Sequence, residues 1–270
     1  MISVIVWDKE YPVDIAHFTD GTLKMKCHTE DVSVATVKWL YESEEELVAL
    51  IHVVHHLREH GFSNIRLDMP YIPNARQDRV QLPGEVFTLK SFAKIINWLD
   101  FSAVTVLDAH SRVSEALLDR VTNVMPHTAI REAIMRVKWD LGHENVVTFY
   151  PDEGAMKRYA SSHHYPTAFG MKTRNPETGK VDSIKIAGDV ASIAGSTVLI
   201  VDDICARGDT AYGCAKALRE AGAEHVYLFV THCENTIFSS MIVEDDTIEK
   251  VFTTKSIYTG NNPKIEVVPN

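Results

Sequence analysis

Short apolar runs alternate with segments of helical periodicity along most of the chain, and this alternation restricts the possible folds more than any other feature. Seven runs are typical of strands: SVIVW, NIRLDMP, AVTVLDA, NVVTFYP, STVLIVDD, HVYLFVTH and KVFTTKS. Three segments carry apolar residues at helical spacing: SEEELVALIHVVHHLREHG, VFTLKSFAKIINWLDF and DTAYGCAKALREAGA. Strands that alternate with helices form βαβ units. The sequence therefore predicts an α/β fold with mainly parallel sheets covered on both faces.

The length of 270 residues indicates more than one domain, because single domains usually have about 100 to 200 residues. Each half offers a strand that ends in acids, VLDAH in the first and VDDICARGDT in the second. We therefore predict two domains, residues 1–126 and 127–270, divided near Pro126. Ligands of parallel sheets bind at the carboxyl ends of the strands, so the residues after each apolar run are the candidates for a site.

The charge and the cysteine content restrict the partners. The formal net charge of -10 argues against a nucleic-acid or anionic-membrane binder, because such proteins neutralise phosphates with an excess of Lys and Arg. No apolar run approaches the roughly 18 residues of a membrane span, and MISVIVWDKEYP does not resemble a signal peptide. The four cysteines form no CxxC pair, which suits reduced thiols. We expect a soluble cytoplasmic protein that acts on small molecules.

The segment VLIVDDICARGDTAYG joins an apolar run to a predicted helix. Asp202 and Asp203 end the run, and Asp209 and Thr210 are good N-cap types for the helix that follows. Backbone N–H groups at a helix start bind anions, so this loop can hold a phosphate while the two acids face hydroxyls or a metal ion. A solvated turn with fortuitous acids is the alternative, and the position at a strand's carboxyl end favours function.

Two further loops follow predicted strands in the first half. DMPYIPNARQDRV contains Arg76, Gln77 and Asp78, and Arg suits phosphate oxygens while Gln and Asp can bind the edge of a nucleobase. VLDAHSR contains His110, which could ligate Mg²⁺ or donate a hydrogen bond to a phosphate. Each motif alone also fits a polar surface loop. HFTDGTLKM fits either a hairpin or a ligand-binding loop.

The second half repeats the theme. FYPDEGAMKRYA places Asp152 where a strand passes into a helix, and GMKTRNPETGKVD places Lys172 and Arg174 in a polar segment typical of a mobile loop. Two cations on a closing loop could neutralise phosphoryl charge. His52 and His56 have the i, i+4 spacing of a metal site, but no acid completes an HExxH pattern, so we expect an exposed helix edge.

Together these motifs resemble the ribose-phosphate pyrophosphokinase family, in order over nearly the whole chain. PYIPNARQDR is similar to the family's PYxxYARQDR, VLDAHS to MDLHA, YPDEGAMKR to SPDxGGxKR, MKTR to the KxR loop, and AGDVASIAGSTVLIVDDICARGDT to GDV...VDDxxDTxGT. The resemblance implies two phosphoribosyltransferase-type, Rossmann-like domains with the active site between them, in a homo-oligomer built from dimers, up to a hexamer. It implies that the anomeric hydroxyl of a ribose phosphate attacks the β-phosphorus of MgATP and releases AMP.

The resemblance also implies a role for each matching residue. Phe18 and Asp20 would reach the adenine of a neighbouring subunit's ATP, and the remaining ATP contacts would come from Arg76, Gln77 and Asp78. Mg²⁺ would be held by His110 and Asp152, and Lys172 and Arg174, together with His110, would be the catalytic side chains. The acceptor's ribose hydroxyls would bind Asp202 and Asp203, and its phosphate would bind the loop of Ala206, Arg207, Gly208, Asp209 and Thr210.

The phosphate loop departs from the family pattern. The family has D-T-x-G-T, whereas this chain has Ala206 for an acid, Arg207 for a hydroxyl residue and Asp209 for glycine. Thr22 also replaces the acid of FxDGE. These changes, with both ribose-binding acids intact, suggest an acceptor that keeps the ribose but differs at C5. The diphosphate of ADP-ribose would suit an arginine, as in viral relatives that act in NAD salvage, and ribose 5-phosphate with a rebuilt phosphate site is the alternative.

Two other functions remain open at this point. The chain could be a catalytically silent subunit that regulates an active synthetase, although the retained Lys172 and Arg174 speak against that. It could also be a phosphoribosyltransferase that consumes phosphoribosyl diphosphate, but the RQD segment is typical of a protein that binds ATP.

Overall fold

The computed structural model of the protein describes residues 1–29, 34–162, 164–174 and 181–270. The chain divides into two compact units, Met1–Met125 and Pro126–Asn270, and each has its own sheet of seven strands. In the part of the chain that the structure describes, no helix is long and apolar enough to cross a membrane. All four cysteines are free thiols.

The first unit is a mixed sheet with three helices. Its elements are β1 (Ile2–Val6), β2 (Lys9–His17), β3 (Leu23–Cys27), β4 (Val34–Trp39), α1 (Glu45–Glu59), β5 (Asn64–Asp68), α2 (Thr88–Trp98), β6 (Ala103–Leu107), α3 (Arg112–Leu117) and β7 (Val121–Val124). The strand order is β3-β2-β1-β4-β5-β6-β7. Strands β4 to β7 are parallel, whereas β1 pairs antiparallel with β2 and β4, and β2 with β3.

The second unit has a more uniformly parallel sheet. Its elements are α4 (His127–Met135), β8 (Val146–Tyr150), α5 (Glu153–Tyr159), β9 (Thr167–Arg174), β10 (Val181–Gly188), β11 (Thr197–Cys205), α6 (Asp209–Glu220), β12 (His225–Cys233), α7 (Met241–Glu244), β13 (Lys250–Thr253) and β14 (Ile265–Val267). The strand order is β10-β9-β8-β11-β12-β13-β14, and only the β9–β10 pair is antiparallel among the described pairings. A π-helical turn, Arg136–Asp140, extends α4.

Apolar periodicity explains both cores. Helix α1 buries Ala49, Leu50, Val53, Val54 and Leu57, which recur at helical spacing on one face. Strand β11 is buried along its whole apolar run, as expected for a parallel strand that helices cover on both faces. Each such side chain contributes about 1.5–3 kcal/mol when it leaves water.

The predicted α/β fold is confirmed, and every one of the seven predicted strands is present. Two local expectations were wrong. The polar segment that contains Lys172 and Arg174 was expected to be a loop, but both residues belong to strand β9, while residues 175–180 lie outside the described part. The apolar run of β11 was expected to stop at Asp202 and Asp203, but the strand continues to Cys205 because β12 pairs with it that far.

Candidate active site

The loops after β5 and β6 lie side by side in the first unit. Strands β5 and β6 are parallel neighbours, so their carboxyl ends lie at one edge of the sheet. The Met69 amide donates to the Thr105 carbonyl at 2.9 Å, and the Leu107 amide donates to the Pro70 carbonyl at 3.0 Å. These crossing hydrogen bonds bring the segment that contains Arg76, Gln77 and Asp78 next to the one that contains His110.

Asp78 is the anchor of this loop pair. It is 7% exposed and accepts two hydrogen bonds from the Arg79 guanidinium, from Nε at 2.6 Å and from Nη2 at 2.9 Å. The Arg79 hydrogen bonds lower the pKa of Asp78 despite its burial, and the His110 imidazole lowers it further. The Ser111 hydroxyl acts in the same direction, although it makes no hydrogen bond of normal geometry. The carboxylate is therefore ionised and held in place.

Gln77 and Arg76 differ in how they are held. The Gln77 side-chain oxygen accepts a hydrogen bond from the Thr88 hydroxyl at 2.7 Å, at the start of α2. Its backbone amide donates to the Asn74 carbonyl at 3.0 Å, in a turn where Asn74 has a φ of 64°. Arg76 is exposed. The turn therefore fixes the Gln77 amide, and the exposed Arg76 is of a residue type that binds phosphate oxygens.

The segment that could be a hairpin or a ligand loop is a hairpin between β2 and β3. At its tip the Asp20 carboxylate accepts hydrogen bonds from the Thr22 amide at 3.0 Å and the Thr22 hydroxyl at 2.7 Å. These hydrogen bonds lower the pKa of Asp20. Phe18 is 53% exposed, and the Lys24 ammonium lies 5.6 Å from the centre of its ring. Thr22 thus orients Asp20.

In the second unit, Asp152 caps helix α5. Its side chain accepts a hydrogen bond from the Ala155 amide at 3.0 Å, and a Cβ on Gly154 would lie 3.2 Å from the same carboxylate oxygen. Because β8 and β11 are parallel neighbours, this carboxylate and the two acids of β11 lie at the same edge of the sheet. Arg158, on α5, has a guanidinium nitrogen 4.0 Å from an oxygen of Asp203.

Arg158 is a candidate that the sequence reasoning missed. The sequence motif YPDEGAMKR contains this arginine, but its position there indicated no role. Its spacing of six residues from Asp152 places it nearly two helical turns away, and only the packing of α5 against β11 brings it to Asp203. The usable signal was the arginine in the last turn of a helix that starts at a candidate acid.

Asp202 and Asp203 lie within the last part of β11. Asp203 is 8% exposed, and its amide donates to the Asp202 carboxylate at 3.0 Å. In the pairing of β11 with β12, Asp202 lies opposite Val230. The acids are therefore fixed by strand pairing rather than carried by a loop, which gives them defined positions for hydrogen bonds to a diol.

The loop from β11 to α6 is shorter than expected. Helix α6 begins at Asp209 and is capped by Gly208, whose φ is 77°, so Asp209 and Thr210 belong to the first turn rather than to the cap. The side chains of Arg207, Asp209 and Thr210 are exposed, and Ala206 is half-buried. The Asp209 carboxylate interacts favourably with the helix dipole but would repel a bound anion. Arg207, nearby in the loop, supplies compensating positive charge.

Lys172 and Arg174 can be placed by their backbone alone, because their side chains lie outside the described part of the chain. Strand β9 pairs with β8 in parallel register, with Phe169 opposite Tyr150, the last residue of β8. Lys172 and Arg174 therefore follow at positions beyond the carboxyl end of β8, the end at which Asp152 starts helix α5.

Comparison with known proteins identifies similar chains. The chain is 27% identical over 263 residues to ribose-phosphate pyrophosphokinase of Pyrococcus furiosus, covering 95% of this chain and 90% of the relative. The Thermococcus kodakarensis enzyme of the same name is also 27% identical over 263 residues, covering 95% and 89%. Phosphoribosylpyrophosphate synthetase from Mycobacterium smegmatis shares the fold, with a TM-score of 0.77 at 20% identity, over 96% of this chain and 86% of that one. No protein-family model matches the chain.

Proposed function

The chain is a divergent relative of the ribose-phosphate pyrophosphokinases, and we propose that it is an ATP-dependent diphosphotransferase. It transfers the β,γ-diphosphoryl group of MgATP to the anomeric 1-hydroxyl of a ribose 5-phosphate-type acceptor and releases AMP. The observation that carries this proposal is the extent of the relationship, which spans 95% of the chain and therefore includes both sheets. The polar residues at the carboxyl ends of the strands support it in each unit.

In the first unit, the loops after β5 and β6 bind ATP. Arg76 contacts phosphate oxygens, and Gln77 contacts the nucleotide through an amide that Thr88 holds. Asp78 contributes to the nucleotide site, and its bidentate pair with Arg79 keeps the loop in place. At the hairpin tip, the exposed Phe18 offers a ring to stack on adenine, and Asp20 offers a carboxylate to the amino group.

In the second unit, the acceptor binds along the end of β11 and the start of α6. Asp202 and Asp203 accept hydrogen bonds from the ribose 2- and 3-hydroxyls, and the first turn of α6 with Arg207 binds the phosphate at C5. Lys172 and Arg174 stabilise the charge of the transferring group. Phosphoryl-type transfer needs positioning and charge neutralisation more than covalent help, which is what these residues provide.

A magnesium ion fits the residues at the site. The carboxylate of Asp152 is a hard oxygen ligand of the kind that Mg²⁺ prefers. His110 offers a nitrogen, which Mg²⁺ prefers less, but its imidazole can also donate a hydrogen bond to a phosphate oxygen. When bound, Mg²⁺ would neutralise charge on the polyphosphate. In the second unit Asp152 would be a ligand of this ion, and in the first unit His110 would bind the ion or a phosphate oxygen.

Arg207 favours a second acceptor, ADP-ribose, whose diphosphate offers more negative charge at C5 than a single phosphate does. The Arg207 side chain is exposed at the mouth of the loop, where a planar bidentate donor can reach such a group. The product would then be ADP-ribose pyrophosphate, a compound of NAD salvage. With ribose 5-phosphate, the product is phosphoribosyl diphosphate, a precursor in nucleotide biosynthesis.

Purified protein with MgATP and both acceptors in competition tests reaction and acceptor together. We expect AMP release that depends on an acceptor, and phosphorus NMR with mass spectrometry identifies the pyrophosphorylated sugar. The Asp202→Asn variant is the control that shows whether AMP release depends on the proposed acceptor site. If neither acceptor leads to release of AMP, the proposal is contradicted.

Two outcomes would assign other functions. Capture of an active synthetase without intrinsic turnover would indicate a silent regulatory subunit. Transfer from phosphoribosyl diphosphate to a base without ATP would indicate a phosphoribosyltransferase.

We expect a cytoplasmic homo-oligomer built from dimers. Sedimentation of the purified chain would test the oligomeric state.

A further inference from the structure

Two histidines, a tyrosine and a glutamate converge at the edge of the second sheet opposite the acceptor residues. His225 is the first residue of β12, Glu249 immediately precedes β13, and His143 precedes β8. These three parallel strands therefore present their amino ends here. Along β12, Val230, the residue opposite Asp202, lies five positions from His225, about 16 Å at the rise of a strand. The cluster is thus separate from the proposed acceptor site.

The polar atoms of this cluster point at one another. His225 Nδ1 lies 2.9 Å from Glu249 Oε1 and 3.1 Å from Oε2. The Tyr227 hydroxyl donates to Glu249 Oε2 at 3.0 Å and lies 2.9 Å from His143 Nε2. One ligand atom from each of His143, His225 and Glu249 lies within 4.8 Å of the others. A metal ion with bonds of about 2.0–2.2 Å needs such atoms about 3.5 Å apart, so small side-chain movements suffice.

The backbone delivers each ligand independently. The π-helical turn Arg136–Asp140 ends the first helix of the unit, and the His143 amide donates back to the Val137 carbonyl at 3.2 Å. The Glu249 amide donates to the Val226 carbonyl at 2.9 Å, which fixes it beside His225. Three separate segments thus meet at one point, whereas a surface pair on one helix would need no such convergence.

The surroundings suit a cation with nitrogen ligands. The ring centres of His143 and His225 are 4.0 Å apart, so two imidazoles, common ligands of transition metals, lie side by side. Arg219 Nη2 donates to Glu249 Oε1 at 2.9 Å, and Tyr227 donates to the other oxygen, as outer partners of a ligating carboxylate do. His225 and Glu249 are partly exposed, so an ion can enter from solvent.

We propose that His143, His225 and Glu249 bind a divalent transition-metal ion of the zinc class. Two imidazoles and one carboxylate form a typical set of three protein ligands, and water would complete the coordination. The ion would tie together the segments that begin β8, β12 and β13, and so would stabilise the second unit. Mg²⁺ should not compete, because it prefers oxygen ligands.

Cobalt and zinc binding to the untagged full chain tests the proposal. After EDTA treatment and in millimolar Mg²⁺, Co²⁺ should produce the visible absorption of a tetrahedral complex, and equilibrium dialysis with Zn²⁺ should give one ion per chain. At a Zn²⁺ concentration about 100 times Kd, Tm should rise by about 5 to 10 °C. No binding of either ion below about 0.1 mM would overturn the proposal.

Variants separate this cluster from other histidines. His143→Ala and Glu249→Gln should weaken Co²⁺ binding by about 100-fold or more, and Tyr227→Phe, which removes an outer partner, by about 10-fold. The matched control is a double variant of the helix pair, His52→Ala with His56→Ala, which should bind Co²⁺ like the unchanged chain. Unchanged binding in both cluster variants, or loss in the helix control, contradicts the proposal. Because Glu249→Gln keeps the size of the side chain, its metal-free Tm checks that a loss of binding is not a loss of folding.

Discussion

Asp78 stays ionised although it is almost completely buried, because Arg79 donates to both of its oxygens. A carboxylate held in this way stabilises the loop only while it is charged. The pair therefore makes part of the stability of the first unit dependent on pH.

The direction of this dependence follows from the pKa. In the folded chain the pKa of Asp78 lies below its usual value of 3.8, so its contribution is complete at pH values well above 3.8 and is lost as the pH falls through the lower folded-state pKa. Asp78→Asn should therefore reduce the free energy of unfolding at pH 7, and the difference from the unchanged chain should shrink below about pH 4. Urea unfolding at pH 7, 5, 4 and 3 measures it. A difference that does not change with pH would contradict the ionised pair.

Arg207 is the residue on which we propose that acceptor choice depends. A charged hydrogen bond contributes about 1.5–3 kcal/mol, so Arg207→Thr should raise KM for an acceptor with a diphosphate at C5 by about 10-fold or more. KM for ATP should stay nearly constant. For Arg207→Lys, the acceptor KM should lie between those of the unchanged chain and Arg207→Thr, because lysine keeps the charge without the bidentate geometry. Steady-state kinetics with each acceptor measure the effect. Equal changes in KM for the acceptor and for ATP would contradict the assignment of Arg207 to the acceptor site.

At the scale of elements, the turn from β11 to α6 depends on Gly208. Its φ of 77° is one that residues with a side chain rarely adopt, and a Cβ there would overlap the δ-carbon of the fully buried Ile242. Gly208→Ala should therefore destabilise the second unit by about 2–5 kcal/mol, from backbone strain and overpacking together. The change would also move the start of α6, where the acceptor phosphate is proposed to bind.

Gly195 offers a matched control for this prediction. It has a φ of 71°, but no atom lies within 4 Å of the position of a Cβ. Gly195→Ala should cost only the backbone strain of about 1–2 kcal/mol. Thermal and urea unfolding of both variants separate the two terms, and equal losses of stability would show that Ile242 can move aside.

Strong apolar runs made the central elements predictable from the sequence. Strands β8, β11 and β12 are buried along almost their whole length, so their composition alone identifies them. The β9–β10 pair was missed because polar and apolar residues are mixed in both strands, and pairing rather than a continuous apolar run fixes them. The same holds for β2, which is mostly exposed.

The candidate site was predictable only where it lies next to such a run. Asp152 follows the buried strand β8, Asp202 and Asp203 come directly after the apolar run of β11, and the topology of parallel sheets then determines their position. Arg158 and the His143–His225–Glu249 cluster depend on contacts between segments that are distant in sequence. No local pattern encodes those contacts, so only the fold could identify them.

At the scale of the whole molecule, the loops proposed to bind the nucleotide and those proposed to bind the acceptor belong to different units. Gln77 of the proposed ATP site belongs to Met1–Met125, and Asp202 of the proposed acceptor site belongs to Pro126–Asn270. If each unit binds its substrate through its own loops, substitutions in one unit should change the binding of one substrate and leave the other nearly unchanged.

This division predicts opposite kinetic signatures for two substitutions. Gln77→Ala removes one amide from the turn that Thr88 holds, so KM for ATP should rise by about 3- to 10-fold while KM for the acceptor stays constant. Asp202→Asn removes the charge of the carboxylate that is proposed to accept a hydrogen bond from a ribose hydroxyl, so KM for the acceptor should rise by about 10- to 100-fold. Calorimetric titration of ATP alone should then give unchanged affinity for Asp202→Asn and weaker affinity for Gln77→Ala. If both variants weakened ATP binding alike, substrate binding could not be assigned separately to the two units, because each substrate would then depend on both sets of loops.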